Sequence, residues 1–170
     1  NSPRWWRRAE AAENLGLARS VRAVEPLVAV LDDPVPEVRL RAARALGGLG
    51  GHAALGSLVE ALARPDRLSA LRIADILASA GREAVAQIVE RWESLDVPAR
   101  HAAVEVLGQV RDLSAVPFLL TCLRESEDPE LRARAAHALG LLADPVAGED
   151  LVRALEDPRW PVRAMAAKAL

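Results

Sequence analysis

The 170 residues contain no tyrosine, one phenylalanine and four tryptophans, so aromatics make up only 3% of the chain. A core built from such a sequence must be filled with alanine, leucine and valine, small and medium side chains suited to tightly packed helices. Cysteine occurs once, as Cys122, which excludes an intrachain disulfide framework and a cysteine-based metal site. No run of about 18 apolar residues is present, which leaves no transmembrane helix within these residues, and no signal-peptide pattern opens the chain. Lysine occurs only at Lys168, and the formal charge is -2 with a pI of about 6.0. That balance lacks the electrostatic footprint of a nucleic-acid binder.

What is abundant is repetition. The leucine of an Ala-Leu-Gly signal falls at Leu15, Leu46, Leu77, Leu107, Leu139 and Leu170, at intervals of 31, 31, 30, 32 and 31. A period this regular marks a repeat architecture. In the second copy, Val38, Ala42, Ala45, Leu46 and Leu49 form a stripe at helical spacing, while Arg41 and Arg44 lie off it. Gly50-Gly51 ends this first helix, and Leu55, Leu58, Val59 and Leu62 define a second one. Each copy is therefore read as an antiparallel pair, an A helix followed by a B helix. Asp33-Pro34, Asp128-Pro129 and Asp157-Pro158 are expected to start A helices, the Asp capping free amides and the Pro occupying the first turn. The units are placed at about 3–32, 33–64, 65–94, 95–125, 126–156 and 157–170, forming one domain whose last unit is an A helix alone. A hairpin of this kind cannot bury its apolar face by itself, so neighbours must stack. The chain is read as a piece of something longer.

The succession Asp-Pro, Val-Arg, Ala-Ala, Ala-Leu-Gly and an Ala-Val-x-x-Leu second helix resembles HEAT repeats of the short type named after phycobilin lyases and common in bacterial proteins. The resemblance covers essentially all 170 residues. It implies an all-α fold: a right-handed α-solenoid of about five and a half stacked helix pairs, with the B helices lining the concave face. It also implies that Arg39, Arg100, Arg132 and Arg163 join Asp33 and Asp157 in an Asp/Arg ladder along the solenoid, Arg8 holding the same place in the first unit. Gly16, Gly47, Gly108 and Gly140 are expected to let the A and B helices of one unit approach closely. In function, the family serves mainly as a binding scaffold.

A search for chemistry leads mostly to structural readings. His52, His101 and His137 are expected at the surface, the latter two too far apart to share a zinc ion. Cys122 on a B helix lies on the opposite layer from His101 and His137, and no carboxylate pair is placed in a pocket. The chain is accordingly read as non-catalytic, with no cofactor or metal. Its expected work is that of a scaffold or adaptor of a larger bacterial protein, binding a protein or peptide on the B-helix face. The alternative is a subunit or domain of a bilin-lyase-like enzyme, and nucleic-acid binding ranks below both. Function is sought where the copies disagree. Phe118 and Cys122 form an apolar i, i+4 pair on a surface where other units carry polar residues; Phe118 is read either as core tucked between B helices or as a hydrophobic anchor for a partner, with Gln87, Glu90, Arg91, Thr121 and Arg153 around it as candidate contacts. Arg4-Trp5-Trp6-Arg7-Arg8 has three readings: Trp5 aligns with Trp160 as an A-helix start, the stretch follows a membrane segment upstream, or its aromatics beside arginine form a nucleic-acid patch. A cytoplasmic location is expected, with a membrane-anchored full-length protein as the other possibility.

Overall fold

A computed structural model describes residues 4–63 and 67–170, with the side chains of residues 67–70 excluded. The expected boundary between the second and third units, Arg64 to Pro65, and the expected start at Pro3 lie outside the described residues. Eleven helices follow in order: α1 (Trp5–Leu17), α2 (Val24–Val30), α3 (Pro36–Leu49), α4 (Gly51–Glu60), α5 (Arg67–Ser79), α6 (Arg82–Arg91), α7 (Val97–Val110), α8 (Val116–Glu125), α9 (Pro129–Leu142), α10 (Gly148–Ala154) and α11 (Trp160–Ala169). Among the described residues there is no strand. The odd-numbered A helices and even-numbered B helices form two layers of an all-α solenoid. In the A layer α1 packs on α3, α3 on α5, α5 on α7, α7 on α9 and α9 on α11; in the B layer α2 packs on α4, α4 on α6 and α8 on α10.

The core runs between the layers as one continuous cluster from Ala12 to Ala166. Of the six repeated leucines, Leu46, Leu77, Leu107 and Leu139 are essentially inaccessible, as are Leu27, Leu55, Leu58 and Leu119 on the B helices. Each such leucine stabilises the fold by about 1.5–3 kcal/mol through burial. The passage from each A helix to its B helix uses positive-φ backbone, at one residue in four of the passages and at both Gly50 and Gly51 between α3 and α4. Gly50 (φ +65°) and Gly81 (φ +63°) meet that need without a Cβ, whereas Arg19 (φ +46°), Arg111 (φ +55°) and Ala143 (φ +52°) adopt it with a side chain.

Two details differ from the sequence expectation. The Asp-Pro pairs do not all start helices. Asp128 does cap α9, but α3 begins at Pro36 and α11 at Trp160, with no side-chain cap. Asp33 and Asp157 instead accept the amides of Val35 and Arg159 two residues on, at 2.9 and 2.8 Å, closing a turn before the helix. The recurring glycines also serve a different contact. A Cβ on Gly16 would meet Ala45 at 2.7 Å, one on Gly108 would meet Ala138 at 3.0 Å, one on Gly140 would meet Ala169 at 2.7 Å, and one on Gly47 would collide with Ile76. All four neighbours lie on the next A helix, so the glycines admit the following repeat and not the B helix of their own.

Replacing Gly108 with Leu should therefore destabilise the chain by about 1–3 kcal/mol through overpacking against α9. At Gly48 an added Cβ would meet nothing within 4 Å, so this position should behave oppositely, Gly48→Ala adding about 0.5–1 kcal/mol. Urea unfolding of both variants checks the pair, and equal effects would show that the A-layer approach is not limiting.

Candidate functional site

The side chains that couple one repeat to the next form two systems, one in each layer. In the A layer, the Arg8 guanidinium donates to both carboxylate oxygens of Asp33 at 2.6 and 2.9 Å, and Arg39 donates to the Asp33 backbone carbonyl at 2.8 Å. The same rung recurs at the far end: Arg132 donates to Asp157 at 2.9 and 3.1 Å, and Arg163 to the Asp157 carbonyl at 2.8 Å. Each Asp thus takes the arginine of the preceding repeat on its carboxylate and the arginine of its own repeat on its backbone. Hydrogen bonding from Arg8 holds the Asp33 carboxyl below the usual carboxylate range against the opposing effect of burial, and Arg132 does the same for Asp157.

Arg100 has no such rung. The place corresponding to Asp33 and Asp157 is Ser126, whose carbonyl accepts from Arg132 at 2.9 Å and whose hydroxyl accepts the Asp128 amide at 3.2 Å. Asp128 is engaged elsewhere, with His101 at 2.6 Å and the Glu130 amide at 2.9 Å. Burial would raise the Asp128 carboxyl, but the His101 and backbone hydrogen bonds outweigh it and the net displacement is downward. His101 is consequently part-buried and paired, not the surface histidine expected. Arg100 donates to the Trp92 carbonyl at 3.2 Å, lies 5.2 Å above the Trp92 ring and approaches Glu93 at 3.5 Å.

In the B layer, Gln87 is buried and bridges two repeats. Its amide lies 3.0 Å from His52 Nδ1, and its oxygen accepts from Arg91 at 2.6 Å. Arg91 reaches Glu60 and Glu90, both at 3.5 Å, and covers Gly56, where a Cβ would collide with the guanidinium. Arg124 donates to both oxygens of Asp150 at 2.7 and 2.5 Å, and Arg153 adds a contact at 3.3 Å. Gln87 and Arg91 are thus committed to inter-repeat bonds, while Glu90 and Arg153 remain largely exposed. Among the described residues, no three His, Cys, Asp or Glu side chains are grouped so as to hold a metal ion.

The candidate pair Phe118 and Cys122 opens on a groove of about 590 Å³ that also takes in Trp92, Arg100, Thr121 and Ser126. Phe118 is half-buried and meets Trp92 edge to face, centroids 4.8 Å apart and planes at 80°. Cys122 is buried and its thiol is pushed up to about 12 by desolvation, only partly opposed by the Arg100 charge, so it contributes apolar surface and not a nucleophile. Thr121 is exposed on the groove wall. Trp92 is not among the candidate residues drawn from the sequence, yet it forms one wall of the groove. The signal available was its separation from Phe118: 26 residues, close to the offset that joins Arg8 to Asp33. At the amino end, Trp5 and Trp160 are each the first residue of an A helix, and both are exposed. Among the described residues no helix is long and apolar enough to cross a membrane.

A family model described as HEAT repeats matches residues 1–78, 57–138 and 83–170. Deoxyhypusine hydroxylase of Bos taurus is 32% identical, over 96% of this chain and 63% of that protein. A phycobilisome maturation protein of Synechococcus elongatus is 28% identical, over 87% of this chain and 78% of that one. The solved structure of human deoxyhypusine hydroxylase, in complex with glycerol, aligns with 99% of this chain and 80% of its own at a TM-score of 0.56 and 26% identity. The chain spans 20% to 63% of the length of the deoxyhypusine hydroxylases it matches. The deoxyhypusine hydroxylases overturn the non-catalytic reading made from the sequence, because these relatives are named as enzymes.

The ladder carries a pH signature. Because the folded Asp157 carboxyl titrates below its unfolded value, its ion pair stabilises fully above about pH 4 and fades as the pH falls through the depressed folded value. Asp157→Asn should be about 1–3 kcal/mol less stable than the parent at pH 7, with the gap closing toward about pH 3. Urea titrations across that range measure it, and a pH-independent gap would contradict the assignment.

Proposed function

Since this chain belongs to the HEAT-repeat family, we propose that it docks a polypeptide on its B-helix side, as the recognition part of an enzyme or of an enzyme-associated assembly. The observation that carries this reading is the Trp92–Phe118 groove. Two other B-layer junctions are closed by bonds from one repeat to the next, α4 with α6 at Gln87 and Arg91 with His52, and α8 with α10 at Arg124 with Asp150. Between the third and fourth pairs those polar links are replaced by an aromatic contact and a groove large enough for one or two side chains. An aromatic anchor in a recess with polar residues around it is the arrangement that concentrates binding energy in protein interfaces. Pre-stacked helices also lower the ordering entropy lost on association.

Phe118 supports Trp92 as well as lining the groove, so its truncation affects both stability and binding. Thr121, whose hydroxyl only back-bonds to Pro117 at 3.2 Å, is the cleaner probe. A photo-crosslinking amino acid at position 121 should yield one discrete polypeptide adduct in the native host, lost on Phe118→Ser. The same probe at Glu105 on the A layer should not. Equal labelling at the two positions, or none at 121, would exclude groove docking.

A second reading, a subunit of a lyase-like enzyme, is favoured by the similarity to the phycobilisome maturation protein along most of both chains. Its expected outcome is transfer of a bilin to an acceptor protein in a reconstituted assay containing this chain, and absence of transfer removes it.

A further inference from the structure

The Trp92–Phe118 groove joins an apolar floor to a rim with an excess of negative charge. We infer that it takes a basic side chain of the docked polypeptide, lysine or arginine, set beside an apolar residue that rests on the aromatic pair. This inference rests on the docking reading above and names the partner's chemistry.

The charges are accounted for one by one. Glu93, Glu125, Glu127 and Asp128 line the groove, and Arg100 is the one cation among its described lining residues. Arg100 is committed within the chain: Nε donates to the Trp92 carbonyl at 3.2 Å, the guanidinium lies 5.2 Å over the Trp92 ring, and Nη2 is 3.5 Å from Glu93. Asp128 is likewise engaged, by His101 at 2.6 Å and by the Glu130 amide at 2.9 Å. That leaves Glu125 and Glu127, both exposed, whose carboxylates enter no hydrogen bond or ion pair among the described residues. Arg124, next to Glu125 in the chain, gives its guanidinium to Asp150 at 2.7 and 2.5 Å instead. The starts of α7 and α9, where a helix favours an anion, already carry their own: Asp96 accepts the Ala99 amide at 3.0 Å, and Asp128 that of Glu130. The groove is therefore short of positive charge.

The shape fits a basic residue next to an apolar one. Phe118, Cys122 and Glu125 fall at i, i+4 and i+7 on one face of α8, which sets the aromatic and acidic ends of the groove about 10 Å apart. Val97, 56% exposed, adds apolar surface to the lining. An apolar side chain on the aromatic pair and the alkyl stem of its basic neighbour cover that length, with the charge carried out to the glutamates. Exposed ion pairs contribute little affinity by themselves, so the carboxylates select the partner and the aromatic floor holds it. The same carboxylates repel a polyanion such as nucleic acid.

The test uses the full isotope-labelled chain and two synthetic peptides, acetyl-Leu-Arg-Leu-amide and its citrulline counterpart, which keeps the shape of arginine without its charge. The arginine peptide should shift the Trp92 indole and Thr121 amide resonances saturably at about millimolar concentration. The citrulline peptide should bind about fivefold more weakly, the change expected of one or two exposed ion pairs. The double variant Glu125→Gln, Glu127→Gln should melt as the parent does, because neither carboxylate bonds within the chain, and should bind both peptides equally. Equal binding of the two peptides by the parent, or an undiminished preference for arginine in the double variant, would overturn the inference. So would a polypeptide crosslink from position 121 that persists unchanged in the double variant, an outcome that leaves docking intact. Weakening of that crosslink together with loss of the arginine preference supports the basic ligand. Absence of the crosslink in the parent removes the docking reading and this inference with it.

Discussion

Adjacent A helices approach until a glycine on one faces an alanine or an isoleucine methyl on the next, with no room for a further carbon. Gly16 against Ala45, Gly108 against Ala138 and Gly140 against Ala169 are instances of that constraint. The close approach sets the spacing of the repeats, and the spacing determines which longer side chains can meet. Arg8 reaches Asp33, and Arg132 reaches Asp157, because their repeats are held at that distance with the start of one A helix beside the arginine of the one before. The rungs contribute orientation more than depth of core: the apolar cluster buries the leucines, and the ion pairs select one stagger between repeats.

A ladder with identical rungs would leave no distinguishable place along the solenoid. Here the irregularities coincide. Ser126 replaces the rung carboxylate, Asp128 pairs with His101, Arg100 turns onto Trp92, and Phe118 lies against the same ring. Four departures from the repeat, drawn from α7, α8, the turn after α6 and the start of α9, thereby open one groove. The α4–α6 and α8–α10 junctions of the B layer are closed instead, by Gln87 and Arg91 with His52 and by Arg124 with Asp150. A repeat protein acquires a specific site by local exceptions to its own pattern, and the relationship to named enzymes gives this one chemical interest beyond the fold.

The candidate site was partly visible before any coordinates. Phe118, Cys122 and Thr121 stand out because the aligned rows differ there, and the structure places all three on the groove. Gln87 and Arg91, drawn from the same rows, prove to be joined to His52 instead, since a polar residue on a helix facing a neighbouring repeat finds its partner there. Trp92 and Ser126 escaped notice. One resembles an ordinary core residue and the other an ordinary turn residue until the third dimension sets them beside Phe118 and Arg100.

The period of about 31, the alternation of A and B helices and the membership in an all-α solenoid are determined by local chemistry: apolar spacing at helical period, left-handed turn residues and the repeated leucines. Tertiary structure alone decided what those residues touch. It turned the glycines toward the next A helix and not their own B helix, passed each rung Asp carboxylate to the arginine of the preceding repeat, and set Arg100 beside a serine in that place. The physical reason is that these contacts join residues some 25 to 30 positions apart, so they depend on the stagger between packed helices. The local sequence specifies each hairpin; the stagger follows only when neighbouring hairpins pack.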